Sequence, residues 1–435
     1  VQPEGGTPTT CLSGHEDETM RAKPQVTVIG GGMITEIQLL PTLYQLQREG
    51  VIGQIHICAL NGARIADLAA CRTLLDGFPG HCFTPHPDPA KADPNEPMPE
   101  LYKEVLAKAP RHSIAVIATP DQMHDAMIRE ALKNDLHVCT VKPLVLEYAQ
   151  AEVIRQLAYD RGLVVGVEYH KRFDHRNLMA RRAYRGGRLG EFRLAQAQMI
   201  EPYYYRDSNF QNWCTCENSD MFTYVGCHYV DAVAFITGLK PVAVSVYGIR
   251  DKYPNGREGF LWTDGRVLWE NGASLSVVDA IGYPTEAAGG NAQGLSMWCQ
   301  GPRDAALLVH SDQYRGVKCH YTAAGTNPGD TLYAEPNPDY SQLLDQGGEG
   351  LVPVGYGHRS VAYILQTCAE AAAIESLAER QKRLRELDAD GIMATPANSS
   401  YNELVIEAGR KSVLAGGREV VIEYGHEPHI HFREH

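Results

Sequence analysis

No apolar run in this sequence approaches the ~20 residues that a membrane-spanning helix needs. Positive charge is in deficit: 40 Lys and Arg stand against 53 Asp and Glu, for a net charge of −13. Such a chain is a poor match to a phosphate backbone, which disfavours nucleic acid as a partner and favours a small or neutral substrate. Regular cysteine spacing is lacking as well. The 11 cysteines are scattered and odd in number, and Cys58 and Cys139 lie in apolar runs where a buried thiol is the ordinary state. A disulfide framework belongs to short secreted chains. The opening stretch, "VQPEGGTPTTCLSGHEDET", has no hydrophobic signal core. It reads as a polar leader, residues 1–22, and the expected compartment is the cytoplasm. Since the chain begins on valine, processing is left open.

What the chain does have is size and apolar content. Its 435 residues are 44% hydrophobic, enough for two domains with cores of their own. In "QVTVIGGGMITEIQLLPTLYQLQREG" a short β-rich run meets Gly30, Gly31 and Gly32. A helical pattern follows, with Ile37, Leu40, Leu43 and Leu46 on one side. Strand, glycine turn and helix are the parts of a dinucleotide site, because glycine lets the backbone approach a pyrophosphate and the helix start offers free N–H groups. Thr35 stands where the third glycine of G-x-G-x-x-G is expected. The second strand, "QIHICAL", ends at Asn61, which can hydrogen-bond to a ribose hydroxyl; Arg64 could meet a 2′-phosphate. NAD and NADP both stay open, with NAD preferred because Arg64 reads equally as a solvated helix residue. Ser113–Ala118 form an apolar strand broken by Thr119 and Pro120, at the end where such sheets bind ligands. A helix and a strand ending at Lys142-Pro143 complete a β-α-β-α alternation, the mark of a doubly wound sheet.

The second half offers "YVGCHYVD" at 224–231. A helix over about 225–237, ending at Gly238, would put Tyr224, His228 and Asp231 on one face. "HKRFDH" places His170 and Arg172 after an apolar strand, near substrate or in an ion-pair cluster with Asp174 between domains. The loop "EPYYYRDSNFQNWCTCENSD" suits a sugar face, through Tyr204 and its neighbours, or an oligomer contact. Cys214, Cys216 and His228 would suit zinc, but no second ligand pair is visible, and no metal is expected. "ASLSVVDAIGYP" and "DAALLVHSDQY" read as strands of a large sheet whose outer face needs cover, so a homodimer or higher homo-oligomer is expected. The histidine-rich end reads as a solvated tail.

The segments "GGGMIT", "ATPDQMH", "VKP", "HKRF" and "GCHYVD" occur in the order and spacing of the glucose–fructose oxidoreductase, inositol dehydrogenase and rhizopine-catabolism (Gfo/Idh/MocA) family. The resemblance covers about residues 24–425. It implies an α/β chain: an N-terminal Rossmann domain, residues 23–145, then a C-terminal α/β domain with an open, mainly antiparallel sheet, residues 146–425, and a tail, 426–435. It implies a cofactor site of Gly30, Gly32, Met33, Ile34, Thr119, Pro120, His124 and Lys142, beside the Asn61 and Arg64 already read from the second strand. It makes Lys142 and His228 catalytic, with Asp231 the carboxylate that follows, and puts His170 and Arg172 near substrate with His228; the helix spacing adds Tyr224 to the catalytic set and the aromatic loop adds Tyr204 to the substrate set. Val141 replaces the family's glutamate before the lysine, and Tyr224 stands where an aspartate is common. The implied activity is NAD(P)-dependent oxidation of a secondary alcohol of a sugar, polyol or glycoside. The alternative is a glycosidase or redox-neutral enzyme that oxidises transiently with tightly bound NAD. For the first, the imidazole of His228 is the natural general base and the Lys142 ammonium the group that stabilises charge on oxygen.

Overall fold

The computed structural model describes residues 23–90, 93–287, 290–301, 304–312, 321–324, 331–334 and 340–434. Six short strands come first: β1 (Val26–Ile29), β2 (Ile55–Cys58), β3 (Thr84–His86), β4 (Ile114–Ile117), β5 (His137–Val141) and β6 (Val165–Glu168). They pair in parallel in the order β3-β2-β1-β4-β5-β6, the doubly wound arrangement. Every residue of β1, β4 and β6 is buried, as a parallel sheet covered on both faces requires. The free thiols of Cys58 and Cys139 are buried in it.

The sheet does not stop at residue 145. Its edge strand is β6, in register with β5 through Val138↔Val165, and the strand belongs there because one face of it packs on the helix Tyr356–Ala372. A side chain at Gly166 would lie 2.5 Å from Ile364, so only glycine admits this helix. The core of the first sheet is thus completed by chain from the last quarter of the sequence, including Tyr356, Val361 and Leu365.

The second sheet is built from β7 (Glu191–Pro202), β8 (Pro241–Lys252), β9 (Glu258–Trp269), β10 (Ser274–Tyr283), β11 (Ala292–Gln300) and β12 (Ala305–Ser311). Two small hairpins follow: β13 (Tyr321–Ala324) with β14 (Thr331–Ala334), and β15 (Gln342–Leu344) with β16 (Val352–Val354). The last strands, β17 (Val420–Glu423) and β18 (His429–Phe432), return to the large sheet. Its order is β12-β11-β7-β10-β9-β8-β17-β18, with only β7 and β10 parallel. The stretch read as a solvated tail therefore supplies an edge strand, because Ile430 and Phe432 cover the rim of the core.

Alternating burial along β7, β9 and β11 gives this sheet one inner face. The helices Cys227–Thr237 and Tyr401–Leu414 lie on it. The first of them is buried at every residue and ends at Gly238, at φ +79°. The outer face carries exposed apolar residues, and the register sets Leu194, Trp298 and Leu307 in one row. No helix among the described residues is long and apolar enough to cross a membrane.

The tightest point of the first sheet is Gly30, at φ +117°, where a Cβ would overlap the Ala118 carbonyl. Gly30→Ala is expected to lose on the order of 2–3 kcal/mol of stability, read as a lower urea midpoint at unchanged slope. An unshifted midpoint would show that the contact between β1 and β4 yields freely.

Candidate active site

At the carboxyl end of β1 the chain turns through Gly30, Gly31 and Gly32. Nothing lies within 4 Å of where a Gly32 side chain would be, so the backbone is open there to a large group. Thr35 fits the third glycine's place by bonding rather than by smallness: its buried hydroxyl donates to the Gly30 carbonyl at 2.8 Å. Met33 is exposed and Ile34 half-buried beside this opening. Asn61 caps the helix Gly62–Ala69, its Oδ1 accepting from the Arg64 N–H at 3.3 Å. The Arg64 guanidinium donates to the Gly31 carbonyl at 3.2 Å and pairs with Asp67 at 2.9 Å. Arg64 thus borders the glycine turn, with Asn61 one helical turn before it. The open cradle, the turn of chain after it and these polar neighbours fit a dinucleotide.

Thr119 and Pro120 follow β4 next to Gly30. His124 does not face the cleft. It is fully buried, with Nδ1 at 2.8 Å from the Pro143 carbonyl and Nε2 at 3.0 Å from that of Thr119. It ties the loop after β4 to the turn that carries Lys142, which is a positioning task.

Lys142 leaves β5 almost buried. Its ammonium donates to the Tyr224 carbonyl and lies 3.8 Å from the centre of the Tyr224 ring. That ring is packed edge-on against Phe210 and Trp213, at 4.9 and 5.5 Å. Tyr224 sits in a wide helical turn, Phe222–Gly226, before the helix Cys227–Thr237. The extra residue per turn rotates it away from the face expected for it.

His228 is 2% exposed and its ring centre lies 4.4 Å from that of His170. Burial holds its imidazole well below the usual range, and the neighbouring His170, Lys142 and Lys171 add to this. Its Nδ1 has no hydrogen-bond partner among the described residues. Asp231 does not orient it. Both Asp231 oxygens are taken by Arg172, at 2.8 and 2.6 Å, with Tyr401 and Asn402 each at 2.9 Å. Arg172 is for the same reason not a substrate ligand. It is a buried ion pair, and the partner is Asp231 rather than Asp174, which pairs with Arg176 and His310.

His170 reaches the chamber between the sheets, its Nδ1 at 3.3 Å from Glu168 and its ring against Tyr340 and Tyr356. Tyr204 is half exposed, edge-on to Tyr205; Tyr205, stacked on Phe210, is the residue of that run that turns inward. Two chamber residues were missed by sequence reasoning. Lys171, inside "HKRF", is fully buried and donates to Gln293 at 2.7 Å and Asp312 at 2.5 Å. Glu201, the charge that ends an otherwise alternating strand, is buried at the end of β7. Its place before Pro202 was the available signal.

Cys214, Cys216 and His228 do not gather as metal ligands. Among the described residues the one set with suitable spacing is Asp174, His310 and Asp312, and Lys171 and Arg176 already neutralise it. Burial alone would raise the Asp312 carboxyl, but Lys171, His310 and the Tyr356 hydroxyl hold it well below the usual range.

Removing Arg172 leaves a buried charge without its partner. Arg172→Ala is therefore expected to cost about 3–5 kcal/mol in denaturant unfolding. A variant as stable as the parent, altered only in substrate KM, would restore Arg172 to the substrate.

Residues 25–169 match the model of the Gfo/Idh/MocA family, described as an oxidoreductase family with an NAD-binding Rossmann fold. Among curated relatives, an uncharacterized oxidoreductase of Schizosaccharomyces pombe is 28% identical over 121 residues, 28% of this chain and 32% of the relative. The scyllo-inositol 2-dehydrogenase (NAD(+)) of Bacillus subtilis is 23% identical over 203 residues, 44% of this chain and 56% of the relative. The aligned part thus spans about a third to a half of these relatives. Among solved structures, GenD2 from gentamicin A biosynthesis in complex with NAD superposes with a TM-score of 0.61 at 16% identity, over 95% of this chain and 100% of that one. Apo scyllo-inositol dehydrogenase from Lactobacillus casei gives 0.59 at 14%, over 92% and 98%. At such identities the structural likeness shows the fold. Residues 25–169, which carry the glycine turn and most of the parallel sheet, are thus similar to the Gfo/Idh/MocA oxidoreductase family.

Proposed function

We propose that the protein is an NAD(P)-dependent dehydrogenase that moves hydride between a nicotinamide and a secondary alcohol of a sugar, polyol or glycoside, with NAD the preferred cofactor. The observation that carries this reading is the meeting of Lys142, from the end of the first sheet, with Tyr224 in the turn Phe222–Gly226 that leads into the helix bearing His228. The two stand beside the carboxyl ends of β1, β4 and β5, where an open sheet binds its ligand. Similarity to the scyllo-inositol 2-dehydrogenase of Bacillus subtilis supports a polyol.

A bound nicotinamide would supply the hydride acceptor. The chain's own residues do the rest. The Lys142 ammonium, steadied by the Tyr224 carbonyl and ring, donates to the reacting oxygen and stabilises charge as it develops. His228 is kept neutral, so it offers the substrate a hydrogen bond without adding positive charge next to Lys142. Tyr169, Tyr340 and Tyr356 wall the chamber around the histidines and keep water out.

We also infer a homodimer formed through the outer face of the large sheet. Leu307 and Val309 on β12 are 54% and 64% exposed, and they continue a face that holds Leu194, Tyr247, Ile249, Val278 and Trp298. A lone apolar patch of that kind is uncommon on a monomer.

Two measurements follow. Lys142→Ala should lower kcat by about 10²-fold or more while NADH still binds by fluorescence, and unchanged turnover would defeat the reading. Leu307→Glu with Val309→Lys should convert the dimer mass in light scattering to a monomer mass. A parent protein that already runs as a monomer would remove the dimer.

A further inference from the structure

Glu201 has no part in the scheme above, yet it stands inside the chamber. It ends β7, in register with Ile281 of β10, and is 6% exposed. Its Oε1 accepts from Gln293 at 3.3 Å and from Asn291 at 3.5 Å. No hydrogen bond from a described residue reaches Oε2. Gln293 is itself held by the Lys171 ammonium at 2.7 Å, which fixes the amide that fixes the carboxylate. Charged and titratable groups face Glu201 from every side. They are Lys142 on β5, Lys171 beside His170, Tyr205 and Tyr224 on their turns, Tyr340, and Asp279 on β10.

Several of the other buried acids nearby are committed to partners or set apart. Asp231 is filled by Arg172, Tyr401 and Asn402. Asp312 is filled by Lys171 and the Tyr356 hydroxyl, and Glu168 by Gln38, Ser360 and His170. Asp279 lies behind the helix, where a Cβ on Gly226 would come within 2.6 Å of it. Asp121, on the loop after β4, also has an oxygen without a partner among the described residues; Glu201 differs in coming from the second sheet, beside Lys171 as well as Lys142.

We propose that Glu201 takes the proton that leaves the substrate hydroxyl. The step rests on the dehydrogenase reading and adds the fate of the proton to it. The O–H bond breaks and its proton passes to Oε2 of Glu201. The electron pair of that bond becomes the second bond of the carbonyl. The C–H bond breaks and its two electrons leave with the hydrogen to the nicotinamide, which is reduced as the alcohol is oxidised. In the reverse direction protonated Glu201 returns the proton.

Chemistry favours this carboxylate over the imidazole. His228 is buried among Lys142, Lys171 and His170, all of which oppose a second proton on its ring, and Asp231 is too occupied to compensate. Glu201 sits where burial pushes its carboxyl up, which makes it a better proton acceptor than a solvated glutamate, while Lys142 and Lys171 keep the ionised form accessible.

The test uses the full chain, with scyllo-inositol, myo-inositol and glucose as probes and NADH or NADPH absorbance as readout. If the parent protein reduces neither NAD+ nor NADP+ with any probe, the dehydrogenase reading falls and this proposal with it. If it turns over, E201Q should lower kcat by about 10²-fold at unchanged NADH affinity. The rise of kcat/KM with pH that tracks ionisation of Glu201 should flatten in that variant. E201D should retain intermediate activity with the rise displaced along the pH axis, and added formate should restore part of the activity of E201A. Turnover of E201Q within about 3-fold of the parent with the same pH profile would overturn the proposal and leave the dehydrogenase reading intact. Should E201Q not fold, E201D decides: a displaced pH profile supports the role, and an unmoved one overturns it.

Discussion

A guanidinium and a carboxylate, both out of water, join the two halves of this molecule. Arg172 comes from the turn after the last strand of the parallel sheet, and Asp231 from the helix on the antiparallel one. Burying either charge without the other would be strongly unfavourable, so their pairing sets how the two sheets meet. Everything in the chamber inherits that setting. His170 stands two residues before Arg172 and His228 three residues before Asp231, so locking one pair brings the other two rings to 4.4 Å.

A second set of bonds connects the chamber to the glycine turn. Gln38, on the first helical turn after that loop, donates to Glu168 and to the Gly357 carbonyl, each at 3.0 Å. It accepts from the Tyr340 hydroxyl at 2.7 Å. Glu168 then meets His170. The helix that would carry the nucleotide is thereby tied to an imidazole of the chamber through buried polar contacts, which hold geometry better than apolar packing because each has one satisfied arrangement.

The chamber is basic at its centre. Lys142, Lys171, His170 and His228 crowd it, and acids stand at its edge: Asp312 pairs with Lys171, and Glu168 lies against the His170 ring. Such crowding explains why the buried imidazole is kept neutral, and why a carboxylate that is not consumed by an ion pair stands out among the neighbours of Lys142.

Periodicity and punctuation in the sequence determined the local elements: strands at Val26–Ile29 and Ile114–Ile117, the glycine turn, the helix ending at Gly238, and the order of motifs with its implied lysine and histidine. Those features are legible because hydrogen bonding and apolar spacing act over a few residues. Membership of β6 in the first sheet, the return of β18 to the second, the partner of Arg172 and the rotation of Tyr224 depend on contacts between residues tens to hundreds of positions apart. The same holds for Glu201, which reads as one more charge at a strand end until Gln293 and the two lysines are set around it. Spacing along one chain carries no information about which distant charges will be buried together; only the closing of the two sheets on each other decides that.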